Sequence, residues 1–151
     1  MAQLLAIWVK RVHGGRMDPR TEAALVAGRG LQGDATQGGR RQVTIMSWER
    51  WTALTRDQLG GPEPDVRRAN LLVEGVDLDD SQERVLRIGA ARVRISGETR
   101  PCKQMDDACP GLQAALSPPW GGGAFGEVLD DGEIAVGDPV SLESVPVATN
   151  R

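Results

Sequence analysis

No apolar stretch in this chain runs far before a glycine, proline or aspartate interrupts it. There are 19 Gly and 9 Pro among 151 residues. The apolar segments between them are roughly five to eight residues long, the length of strands rather than of helices. This punctuation restricts the chain to many short strands joined by tight turns. Leu4–Val12 reads as a first strand. Glu22–Val26 reads as a strand or a turn of helix leading into the Gly-rich Gly28–Asp34. In Gln42–Met46, Val43 and Ile45 alternate with Thr44, the period of a half-buried strand. Ala69–Val73 is a further strand, and Arg84–Ile88 and Ala91–Ile95 flank Gly89 as a hairpin. Phe125–Leu129 and Glu133–Val136 surround Asp130-Asp131-Gly132, a second hairpin signal, and Pro139–Val145 is the last strand. Two helices complete the pattern. Ser47 is placed to cap Trp48–Leu59, where Trp48, Trp51, Leu54 and Leu59 share one face and Gly60-Gly61-Pro62 ends the run. Pro110 opens a short helix through Leu116. The sum is a mainly β fold, a closed or nearly closed barrel with a few short helices. It occupies one domain over residues 1–143, followed by a loose tail at 144–151.

Charge excludes several classes of function. The net charge is −3, and all of the 18 basic residues except Lys10 and Lys103 are arginine. These arginines are interspersed with Asp and Glu, whereas a nucleic-acid surface needs a basic stripe. Arginine suits bidentate recognition of phosphate or carboxylate, although coding bias explains its excess equally well. No stretch approaches the roughly 20 apolar residues of a membrane span, and Met1–Val12 lacks the pattern of a secretion signal. Cys102 and Cys109 do not make a disulfide framework. The expectation is a cytoplasmic protein with reduced thiols.

Few residues can carry chemistry. Cys102 leaves the strand Ala91–Ile95 within Gly97-Glu98-Thr99-Arg100-Pro101-Cys102-Lys103. A buried thiol is as often a packing residue as a reagent. Cations on both sides, and a proline fixing the loop, favour the thiolate. Cys109 beside Pro110 reads as a small packed residue, with a resolving thiol as the alternative. Arg68 and Asn70 are two residues apart and would point the same way in an extended chain, able to hold an anion and read a heterocycle edge. Gly28–Asp34 reads as a tight turn with Asp34 capping a backbone N–H; its spacing is not a dinucleotide fingerprint. Asp106-Asp107 reads as charge at a helix N-terminus rather than a metal site. Trp120-Gly121-Gly122-Gly123 reads as a turn, and the single histidine, His13, takes no ligand role.

Five segments then fall in order along nearly the whole chain. They are Gly30-Leu31-Gln32-Gly33-Asp34; Gly39-Arg40-Arg41-Gln42-Val43-Thr44; Arg68-Ala69-Asn70-Leu71 with Val73-Glu74-Gly75; Arg100-Pro101-Cys102; and Gly122-Gly123-Ala124 with Gly132-Glu133-Ile134 and Val136-Gly137-Asp138-Pro139-Val140. Together they resemble the MOSC domain, found at the C-terminus of molybdenum-cofactor sulfurases and in short stand-alone bacterial proteins, and most resemble the short stand-alone branch. The resemblance implies a MOSC-type β-barrel whose shared cysteine is Cys102. In relatives that reduce N-hydroxylated compounds this cysteine ligates molybdenum. Nearby basic and polar residues hold the pterin phosphate, which implies Arg68, Asn70 and Arg100 as residues lining the molybdenum cofactor (molybdopterin) pocket. A thiolate suits a soft-ligand metal site and arginine suits a phosphate. The implied partners are the pterin cofactor and an external electron-transfer protein, since the chain has no flavin or iron–sulfur motif.

In sulfurase-type relatives the domain is instead discussed as a sulfur carrier, with the cysteine as a persulfide and a sulfurtransferase as partner. The pyridoxal phosphate of those proteins belongs to a separate domain. Two departures keep a third reading open, a degenerate barrel that binds a small ligand or a partner without catalysis. Many relatives carry His two residues after the Asp, where this chain has Ala35 and Thr36. Many carry Arg before the late Gly-Gly, where it has Trp120 and Gly121.

Overall fold

The computed structural model describes residues 2–60, 63–64, 68–101 and 104–143. Side chains are described for all of these except residues 57–59, 104 and 108. The mainly β expectation holds. The strands are β1 (Gln3–Lys10), β2 (Met17–Arg20), β3 (Glu22–Val26), β4 (Gly30–Leu31), β5 (Val43–Ser47), β6 (Leu71–Glu74), β7 (Val85–Ile88), β8 (Ala91–Glu98), β9 (Ala124–Val128), β10 (Gly132–Ala135) and β11 (Val140–Glu143). The helices are α1 (Trp48–Leu59), α2 (Gln104–Ala108) and α3 (Leu112–Ala115). Eight strands form one sheet in the order β11-β7-β8-β9-β5-β6-β1-β2, and β10-β3-β4 form a second.

The large sheet is not closed into a barrel. Strand β1 spends one side on β6 over Gln3–Ile7 and the other on β2 over Ile7–Lys10. Only its first residues are left to meet the far end of the sheet. There a single bridge joins Gln3 to Pro139, backed by Leu4 N–H to Asp138 O at 2.9 Å and Gly137 N–H to Leu4 O at 2.8 Å. Pro139 has no N–H to extend this bridge into a ladder.

The second expected hairpin does not form either. Strand β9 pairs with β5 and β8, while β10 crosses to β3 in the small sheet. A two-residue type I′ turn needs positive φ at both central residues, and none of Asp130, Asp131 and Gly132 has it. The two aspartates are used across the chain instead. Asp130 takes a two-point contact from Arg92 at 2.8 and 3.1 Å, and Asp131 Oδ1 accepts Ala27 N–H at 2.8 Å. The Gly89 hairpin is present as read, with Ile88 opposite Ala91.

Two apolar clusters hold the layers together. In the first, alternate residues of the large sheet, among them Ile7, Val43, Ile45, Leu71, Val93 and Ile95, pack against Leu25, Leu31 and Ile134 of the small one. In the second, the opposite face of β5 and β6 (Met46, Leu72) is covered by Trp51 of α1, Met105 of α2, and Leu112 and Leu116 at α3. Ser47 caps α1 as expected, its Oγ accepting Arg50 N–H at 3.3 Å, and Gly60 ends the helix at φ 76°. Trp51 is 1 % exposed, but Trp48 is 38 % exposed, so the buried stripe of α1 is narrower than the spacing of its apolar residues implied. Asp106 and Asp107 lie in the first turn of α2, and Asp106 Oδ1 also accepts Gln113 N–H of α3 at 2.9 Å.

Candidate functional site

The sheet register brings most of the sequence segments singled out above to one row. Thr44 of β5 stands opposite Phe125 of β9, and Phe125 opposite Gly97 of β8. On the other flank Thr44 meets Asn70. Asn70 N–H donates to Thr44 O at 3.0 Å, and Thr44 N–H and Oγ1 donate to Asn70 Oδ1 at 3.1 and 3.2 Å. Asn70 Nδ2 donates to Trp8 O at 3.2 Å and to Asp34 Oδ1 at 3.1 Å. Asp34 in turn accepts Lys10 N–H at 2.8 Å on Oδ1 and Thr36 N–H at 3.0 Å on Oδ2. The turn-capping reading of Asp34 is therefore correct. Asn70 and Asp34 bolt β1, β5, β6 and the loop after β4 together, and the Asn70 amide has no uncommitted donor.

Arg68 does not share an extended face with Asn70. Its φ is 64°, and its exposed guanidinium donates to Gly15 O in the β1–β2 connection. Two arginines not singled out in the sequence stand on the row instead. Arg40 and Arg41 lie over the Phe125 ring, with guanidinium carbons 5.8 and 5.1 Å from its centre. Their only sequence signal is the segment Gly39–Thr44, which carries no chemistry until the register sets it beside the chain's single phenylalanine.

Beyond Gly97, β8 runs out through Glu98, Thr99, Arg100 and Pro101. Thr99 N–H donates to Gly123 O at 2.8 Å. An added Cβ at Gly122 would lie 2.0 Å from Thr99 O, and one at Gly123, where φ is 93°, would lie 2.4 Å from Ile45 O. The late glycines thus serve close backbone approach as well as turn geometry, wedging their loop between the ends of β8 and β5. Glu98 braces this junction, its Oε2 accepting Trp120 N–H at 2.6 Å while Arg100 Nη2 sits 3.4 Å from Oε1. Thr99 is 3 % exposed, yet its Oγ1 has no hydrogen-bond partner among the described residues. Arg100 is 83 % exposed at the side chain and lines a groove of about 310 Å³ with Pro101, Gln113, Ser117, Pro118 and Pro119. The structure therefore places Arg100 at the β8 exit, apart from Arg68. Cys102, which follows Pro101, lies outside the described residues.

A second cleft of about 500 Å³ opens between α1 and the β6–β7 connection, lined by Glu49, Arg50, Asp77 and Asp79 among others. Arg50 Nη2 donates to Pro119 O at 2.9 Å and stands 3.9 Å from Asp79 Oδ2, while its Nε is buried without a partner among the described residues. Partial burial raises the Asp79 pKa, a rise that Arg50 opposes and that Asp77, Asp80 and Glu98 add to. Among the described residues, no group of three His, Cys, Asp or Glu side chains could hold a metal ion. Cys109 is a partly buried thiol packed against the second apolar cluster, as the sequence suggested. His13 is exposed.

A mainly β chain with a helix-covered ledge on one sheet face defines a small open-sheet domain. A profile of the MOSC domain matches residues 10–141, and the chain belongs to that family. Its fold is similar to that of the YuaD protein from Bacillus subtilis, at 20 % identity and TM-score 0.79 over 97 % of this chain and 98 % of that one. It is also similar to YiiM from Geobacillus stearothermophilus, at 18 % identity and TM-score 0.71 over 98 % and 78 % of the two chains. YiiM from Escherichia coli aligns at 18 % identity and TM-score 0.69 over 94 % and 70 %. No curated protein sequence matches the chain.

Proposed function

We propose that this protein binds the molybdenum cofactor, with the Cys102 thiolate as the metal's protein ligand, and supports the reduction of N-hydroxylated compounds. The observation that supports this reading is the convergence of four separate family segments, around Asp34, Thr44, Asn70 and the β8 exit, on one region of the fold. The residues present suit a phosphate-bearing pterin. Thr99 Oγ1 is a buried hydroxyl lacking a partner two residues before Pro101 ends the described strand exit, and Arg100 is an exposed cation beside it. Arg100 would supply a cation to the ligand and Thr99 a hydrogen bond, Asn70 would act through the backbone it braces, and Arg68, bonded to Gly15 O, stands apart from them. When bound, the cofactor supplies a redox-active metal for cleaving an N–O bond. The two electrons come from an external protein, two protons are taken up, and the oxygen leaves as water. Among the described residues no helix is long and apolar enough to cross a membrane; we place the protein in the cytoplasm with its thiols reduced.

A sulfur-carrier role, with Cys102 as a persulfide, is the second reading. It is favoured by the open groove at Arg100, which a partner protein could approach directly. Molybdenum analysis and pterin fluorescence on protein from a cofactor-proficient host, wild type beside Cys102→Ser, test the first reading. Near-stoichiometric metal and pterin in the wild type and neither in the variant are expected. Neither in both proteins would overturn it, and a labile sulfur adduct on Cys102 would then establish the carrier.

A further inference from the structure

We infer that Arg40 and Arg41, which both lie over Phe125, form an anion site for a phosphate monoester. The inference deepens the cofactor reading and depends on it for the identity of the ligand, not for the existence of the site. The argument begins from charge. On the neighbouring strands Arg87 pairs with Glu143, Arg92 with Asp130 and Arg94 with Glu127, each at 2.8 Å. Arg40 and Arg41 are exposed and have no ion pair among the described residues, although the chain carries a net charge of −3. Both guanidinium carbons lie within 6 Å of one ring centre, a concentration of positive charge that favours an anion nearby.

The platform is fixed in advance. Phe125 is held in the ladder between Thr44 and Gly97, and Arg40 Nη2 reaches Ser96 O at 3.4 Å. Stacking on an aromatic face leaves the N–H edges of a guanidinium directed outward, and those edges match phosphate oxygens two at a time. Preorganised donors lose little conformational entropy on binding. Asn70 shares this row, but both of its amide donors are committed to Trp8 and Asp34, so the anion contacts fall to the two arginines.

The test uses the full chain free of metal, titrated with phenyl phosphate and followed by arginine Nε–Hε NMR shifts and calorimetry. Wild type is compared with the Arg40→Ala/Arg41→Ala double variant and with Arg94→Ala, an exposed arginine on an adjacent strand that keeps its own carboxylate. Circular dichroism melts establish that all three fold alike. The expected result is binding weakened at least about tenfold in the double variant and unchanged in Arg94→Ala. Wild-type affinity in the double variant, or equal losses in both variants, overturns the site and leaves the cofactor reading standing. Phenyl phosphate binding that the double variant loses, together with neither molybdenum nor pterin in wild-type protein from a cofactor-proficient host, overturns the cofactor reading and leaves the arginine site standing.

Discussion

Asn70, just before β6, and Thr99, just after β8, are both buried polar residues at strand ends of the large sheet, and they are treated oppositely. Among the described residues the Asn70 side chain makes four hydrogen bonds, whereas the Thr99 hydroxyl makes none. A buried polar group with all its partners fixes backbone, while one without a partner costs free energy unless something else supplies the contact. The region around Asn70 is therefore scaffold, and the rim formed by Thr99, Arg100, Arg40 and Arg41 is where, on the proposed reading, a ligand would bind. Chemistry-bearing residue types occur in both regions, and only the bonding pattern separates them.

The comparison can be broken by substitution, and the largest effect is expected at the scaffold. Asn70→Leu takes one hydrogen bond from the Asp34 carboxylate, which keeps Lys10 and Thr36 N–H, removes the side-chain contacts to Trp8 O, Thr44 N–H and the Thr44 hydroxyl, and should lower unfolding free energy by about 3 kcal/mol in urea denaturation. A loss below about 1 kcal/mol would show that the bolt is dispensable. Gly122→Ala drives a methyl into Thr99 O and should cost about 2 kcal/mol, because both contacting groups are backbone and cannot swing away. Thr99→Val removes the orphaned hydroxyl at almost constant volume. It should raise stability by up to about 1 kcal/mol while reducing pterin retention; lowered stability would mean the hydroxyl has a structural partner after all.

Arg100→Ala should change stability by less than about 0.5 kcal/mol, since its contact with Glu98 is a surface pair, and should act on ligand retention alone. The smallest effect is that of pH at Asp79. Its folded pKa is raised, chiefly by burial, so the native state binds more protons than the unfolded chain. That contribution is complete below the unfolded value of 3.8 and is lost as pH rises through the folded pKa. Asp79→Asn should flatten the slope of stability against pH just above 3.8; an unchanged slope would assign the shift to another group.

Local signals were the legible ones. Ser47 and Gly60 mark both ends of α1, Gly89 marks its hairpin, and the alternation of Val43, Thr44 and Ile45 marks β5. Strand partners were not legible where a turn motif had a competing long-range use. Asp130-Asp131-Gly132 looks like a hairpin turn because the sequence does not reveal that Arg92 and Ala27 claim its carboxylates. Strand β2 contains Pro19, β4 has two residues, and α2 a single short turn, too little pattern in each case to recognise. At the site, the sequence marked Arg68 and Asn70 by proximity in the chain. The arginines that stand over Phe125 are more than 80 residues before it, and only the β5–β9 pairing brings them there.

That pairing also sets when the site can exist. Strand β9 lies between β5 and β8 and carries Phe125, so none of the row from Asn70 to Gly97 is complete until it arrives. On a ribosome the arginines, Thr44 and Asn70 emerge well before it, at a stage when β5 can pair only with β6 across α1. Strand pairings of such long sequence separation form slowly. On the proposed reading, ligand capture at this ledge is therefore an event of the finished chain, and a cofactor would be delivered to an already folded acceptor, not a nascent one.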